Sequence, residues 1–84
     1  MEKAMEKTFE CKDLMISAAL LSRGVGLKDT KNTGGFVTFV FEDPKRCRKI
    51  EKQWWQGTLK VTAPRFADAI KRCKSIIYGS KRRH

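Results

Sequence analysis

Six consecutive residues, Phe36-Val37-Thr38-Phe39-Val40-Phe41, constrain this chain more than any others. They are β-branched or aromatic without exception, and apolar groups fall on both alternating positions. A strand of that kind buries both faces and belongs in the middle of a sheet. The Lys31-Asn32-Thr33-Gly34-Gly35 stretch before it carries turn residues, and Val25 to Asp29 beyond that is read as a second strand. An antiparallel hairpin joining the two is the economical arrangement.

The remaining elements follow from end signals. Thr8 to Lys12 alternates as a short strand, and Asp13 is placed to cap a helix from Leu14 that stops at Gly24. That helix, with Leu14, Ile16, Ala18, Leu20 and Leu21, is apolar nearly all round, so it needs cover from its own chain or from a second subunit. Asp43-Pro44 opens a second helix that runs to about Gln56 and ends at Gly57. Thr58 to Thr62 alternates again and is read as an edge strand. Pro64 opens a last helix ending near Gly79.

The expected fold is α+β, ordered β-α-β-β-α-β-α, with an antiparallel sheet of three or four strands packed by three helices. Residues 1–7 are read as a leader, 8–79 as the domain and 80–84 as a basic tail. Leu14, Leu21, Phe39, Phe41, Trp54, Phe66, Ile70 and Ile77 are the expected core.

Charge separates the two halves. Residues 1–43 hold six basic and seven acidic side chains, net −1, whereas residues 44–84 hold thirteen basic ones against Glu51 and Asp68, net +11. A field so lopsided attracts polyanions. On α-helical geometry Cys47, Ile50 and Trp54 share one side of the second helix. Lys45, Arg48, Lys49 and Lys52 spread over the other side, with Arg46 at the margin. The last helix turns Phe66, Ile70, Cys73 and Ile77 inward and leaves Arg65, Lys71, Arg72 and Lys74 on the remaining arc. Glu is not interleaved with Lys at i,i+4, as a merely solvated helix would have it. These residues, with Lys81, Arg82 and Arg83 of the tail, are candidate contacts to DNA or RNA phosphates. Trp55 lies near Arg48 and Lys52 and is a candidate for base stacking, but packing under the sheet edge or a cation–π contact is the favoured reading.

Catalytic and metal chemistry find no support. There is no nucleophile elbow, no zinc-protease helix and no phosphate loop, and Gly34-Gly35 precedes a strand rather than a helix. Cys11, Cys47 and Cys73 form no CxxC, and the single histidine is His84. They read as small apolar core residues in a reducing compartment. No cofactor and no small-molecule substrate are expected. Neither a signal peptide nor a span is legible, since Leu14 to Ser22 is too short to cross a bilayer, so a cytoplasmic protein off the membrane is expected. The rival to nucleic-acid binding is a non-catalytic protein-interaction or homodimerisation module that uses the apolar first helix.

One pattern spans residues 9–78. Phe9-x-x-x-Asp13-Leu14, Ala18-Ala19-x-Leu21-x-x-Gly24 and Phe39-x-Phe41-x-Asp43 are followed by Trp55-x-Gly57, Val61, Pro64-x-Phe66, Ala69, Lys74 and Ile77-Tyr78. The order resembles a family of small uncharacterised α+β domains found in bacterial and phage proteins. Cys11 departs from it, at a position where such sequences more often carry Thr. The resemblance implies one compact unit of phage or mobile-element origin. It rests on structural residue types, so it transfers no functional residues.

Overall fold

A computed structural model describes residues 7–82. Along the chain run β1 (Phe9–Cys11), α1 (Leu14–Ser22), β2 (Leu27–Thr33), β3 (Phe36–Phe41), α2 (Pro44–Gln56) and α3 (Ala63–Arg82). The three strands form one antiparallel sheet in the order β1-β3-β2, so the Phe36–Phe41 run is central, as its composition requires. Phe9 and Leu27 both face Phe41, and Cys11 and Thr30 both face Phe39. A register shift between Leu27 and Asp29 bulges β2 at Lys28.

Period two assigns Val37, Phe39 and Phe41 to the face that meets the helices, where they join Ile16, Leu20, Cys47, Ile50, Ala69 and Cys73 in one core. Thr38 and Val40 point the other way and are nonetheless buried. Their register neighbours are Lys31 and Glu10, whose side chains meet at 2.6 Å and so form a bridge across β3.

The α1 boundaries come from local chemistry. Asp13 Oδ1 accepts from the backbone N–H groups of Met15 at 2.8 Å and Ile16 at 3.0 Å. At the other end Gly24, at φ +85°, lets its own N–H reach the Leu21 carbonyl while Val25 N–H reaches that of Leu20. Gly57 closes α2 in the same way, with its N–H on Trp54 and that of Thr58 on Gln53. Asp43 caps the start of α2 from a left-handed backbone, a conformation tolerated by Asp, and accepts from Arg46 N–H at 3.3 Å.

Helix α1 packs most extensively on α3 and also touches α2 and β1. Ile16 through Leu20 are buried, and among its large side chains only Met15 is exposed. Most of the apolar surface of α1 is thus covered by the chain itself, with Leu14 and Leu21 partly buried.

The second strand runs over Leu27–Thr33 rather than Val25 to Asp29, so Lys31, Asn32 and Thr33 pair with β3 and the turn is Gly34-Gly35 alone. Three further expectations need correction. Thr58 to Thr62 is not a strand: the Thr58 and Leu59 N–H groups both turn back to the Gln53 carbonyl, and Lys60 gives its carbonyl to Arg23. Leu59 is partly buried against the core, which accounts for the alternation. A loop lying on a core shows the same one-sided pattern as an edge strand. Helix α3 does not stop near Gly79 but continues to Arg82, since Gly79 does not adopt the positive φ that ends a helix. The helix therefore runs into the segment read as a tail, while Arg83, His84 and residues 1–6 of the leader lie outside the described residues.

The third correction concerns the core. Phe39 and Phe41 are buried as expected, but Leu14, Leu21, Trp54, Phe66, Ile70 and Ile77 are only partly so. They form its rim, where Trp54 and Phe66 pack with ring centroids 6.2 Å apart. Small residues, Ala18, Ala19, Cys47 and Cys73, share the deepest positions with Leu20 and Phe41. Close approach of helices demands small side chains, and hydrophobicity alone does not reveal where that approach occurs.

Candidate nucleic-acid interface

Lys45, Arg46, Arg48, Lys49, Lys52, Arg65, Lys71, Arg72 and Lys74 are all exposed. They do not form one sheet of charge. Turning about 100° per residue, α2 points Lys45, Lys49 and Lys52 straight out, puts Arg46 on one flank, and puts Arg48 and Trp55 on the opposite flank. Arg48 lines a cleft of about 450 Å³ with Thr8, Phe9 and Glu10, on the β1 side. Arg46 turns toward the end of α1, where its guanidinium donates to the Arg23 carbonyl.

Around Arg46 the fold gathers charges from four segments. Arg23, at the end of α1, donates to the Lys60 carbonyl at 2.7 Å. Arg23, Arg46, Lys60, Thr62 and Arg65 line a cleft of about 300 Å³ together with Ser22 and Val61. A second cleft of about 250 Å³ shares Ser22 and Arg65 and adds Leu21, Gly24, Asp68, Ala69 and Arg72. Asp68 lies within one turn of both Arg65 and Arg72, yet pairs with neither among the described residues. The first turn of α3 holds no acid, so the positive end of its backbone dipole adds to the field here.

Arg65 thus shares one cleft with Arg46 and the other with Arg72, whereas Lys71 and Lys74 lie on a different arc of α3, with Tyr78. Lys81 and Arg82 belong to the last turn of α3, and Arg83 lies outside the described residues. Sequence reasoning missed Arg23 and Lys60. The signal for Arg23 was its place directly before the helix-ending Gly24, where a cation suits the negative end of a helix. Lys60 had none, because its role depends on the chain between the helices being a loop.

Of the two arrangements favoured for Trp55, only packing under the sheet edge is overturned: the residue is 68% exposed. Trp54 takes the inward place and leaves Trp55 beside the Arg48 flank.

The thiols are removed from chemistry. All three are buried, and desolvation pushes Cys47 and Cys73 up to about 11 and raises Cys11. At neutral pH they are protonated and poor nucleophiles. Among the described residues no group of three or more His, Cys, Asp or Glu side chains is arranged to hold a metal ion, and no helix is long and apolar enough to cross a membrane.

Residues 6–79 match the family model described as a domain of unknown function, DUF5659. The chain belongs to this family. The match covers every strand and helix described above up to the last turn of α3. No curated protein and no solved structure matches the chain.

Proposed function

We propose that this DUF5659 domain is a non-catalytic, cytoplasmic nucleic-acid-binding module that contacts the phosphate backbone of DNA or RNA through the basic faces of α2 and α3. The observation that carries this reading is unneutralised charge. Lys45, Lys49, Lys52, Arg65, Lys71, Arg72 and Lys74 are exposed and have no ionic partner among the described residues. Burying nothing and pairing with nothing, they raise the local potential and release counterions when a phosphate chain replaces the salt around them.

A salt titration against random single- and double-stranded oligonucleotides tests it. Log affinity should fall linearly with log salt, by about 0.7–0.9 per phosphate contacted, with little dependence on base sequence. No binding at low salt would end this reading. Exposed Trp55 beside Arg48 favours single strands, since an aromatic face takes any unpaired base. Trp55→Ala should then weaken single-strand binding more than duplex binding.

A second reading has its own observation. Phe36 is 73% exposed at the start of β3, and an aromatic so placed suits a protein partner. On that reading the domain is an interaction module of a phage or mobile element, and association persists in high salt instead of collapsing.

A further inference from the structure

The two clefts at the junction of α1 and α3 carry more than an exposed lysine does. They are concave, they abut through Ser22 and Arg65, and they converge side chains from α1, α2, the connecting loop and α3. Two of their guanidinium groups are already held in place, Arg46 on the Arg23 carbonyl and Arg23 on the Lys60 carbonyl. Each arginine has five N–H donors and spends few of them in this way, so most are left for a ligand. Planar guanidinium groups match the oxygens of a phosphoryl group better than those of water or a backbone carbonyl. Lys60, Arg65 and Arg72 have no protein partner for their charged ends among the described residues.

We infer that these paired clefts seat successive phosphoryl groups of a nucleic-acid strand. Arg23, Arg46, Lys60 and Arg65 hold one, and Arg65 with Arg72 holds the next. The inference rests on the nucleic-acid reading above and localises it. Arg65 and Arg72 are seven residues apart on α3, about 10 Å along the axis, so the strand runs alongside that helix. The first seat is the stronger, because Asp68 lies in the second and opposes an anion there. The outward lysines of α2 then act at longer range and steer the approach.

Two double variants that remove equal charge separate the site from the field. Lys60→Gln with Arg65→Gln removes two of the four cations of the first cleft, and the one it shares with the second, without touching the carbonyl that Arg23 uses. Lys49→Gln with Lys52→Gln removes two outward charges. At about 100 mM salt the cleft pair should weaken oligonucleotide binding at least tenfold and lower the salt slope by about two contacts, with less than threefold loss for the outward pair. Asp68→Asn should tighten binding severalfold. Equal losses from the two pairs would overturn the inference and leave the diffuse basic surface intact.

Oligonucleotides with and without a 5′-phosphate separate the sources of the phosphoryl group: equal affinity assigns internal phosphodiesters, and a preference assigns strand ends. Inorganic phosphate, followed by amide NMR signals of Arg23 and Arg65, separates the two failures. Saturable shifts without oligonucleotide binding would sink the nucleic-acid reading and keep a phosphoryl site. No shift and no binding would overturn both.

Discussion

Helix α1 and the pair α2 and α3 solve opposite problems within the same domain. The first is buried on nearly every side, holds no charged residue, and can offer little to a ligand except its end at Arg23. The other two bury one stripe each and leave wide basic arcs in water. The difference shows how so small a chain displays so much positive charge. With α1 and the central strand taking most of the core, α2 and α3 need only a narrow apolar seam, and the rest of their circumference is free for lysine and arginine.

The sharpest way to break this contrast is to cut into both sides of it. Phe41→Ala, at the fully buried centre, should cost about 3–5 kcal/mol and come close to unfolding a domain of this size. Phe66→Ala, on the α3 seam, should cost about half as much, since its ring is only partly buried against Trp54. Urea denaturation gives both values, and equal losses would mean that the seam bears as much of the stability as the centre does.

The next effect asks whether the seams are as dry inside as α1. The thiols of Cys47 on α2 and Cys73 on α3 titrate at about 11 in the folded protein because burial disfavours the thiolate, and an unfolded thiol loses its proton near 9. The folded state therefore holds protons that the unfolded state has released. This contribution is complete below about pH 9 and is lost as pH rises toward 11. Denaturation midpoints should fall across that window, and fall less in Cys47→Ala or Cys73→Ala than in the parent. A flat profile would place these thiols in contact with water.

Caps offer a smaller, more pointed comparison. Asp13→Ala removes two bonds to the start of α1 and should cost about 1–2 kcal/mol. Asp43→Gly loses one long bond at the start of α2 but relieves a left-handed backbone, so thermal melts should move by only a few tenths of a kcal/mol in either direction. A gain should come from Ser17→Ala in α1. The Ser17 hydroxyl is buried and has no oxygen or nitrogen partner, so its removal should stabilise the fold by about 1 kcal/mol. A loss of stability there would show that the hydroxyl has found the sulfur of Cys11 beside it.

Much of the contrast was legible before any coordinates. The central place of Phe36–Phe41, the caps at Asp13 and Asp43, the glycine stops at 24 and 57, and the outward lysines of α2 all follow from local rules. What those rules do not carry is the meeting of distant segments. Arg46 and Arg48 are two residues apart and equally basic, yet one reaches the α1 terminus and the other the β1 side. A helical wheel separates the two flanks without naming what lies beyond each. Trp54 and Trp55 pose the same problem, and it was settled by Phe66 meeting the first of them. Arg23 and Lys60 entered the site only because the chain after Gly57 folds as a loop.

The bulge in β2 has a consequence of another kind. β2 is the longest strand and lies at the edge of the sheet, where a row of unshared backbone groups would invite strands from neighbouring molecules. The extra residue at Lys28 breaks the even spacing such stacking needs, and Lys28 and Asp29 put charge on the same strand. Concentrated solutions of the domain should therefore resist fibril growth. Removing that residue should shorten the lag before thioflavin fluorescence rises.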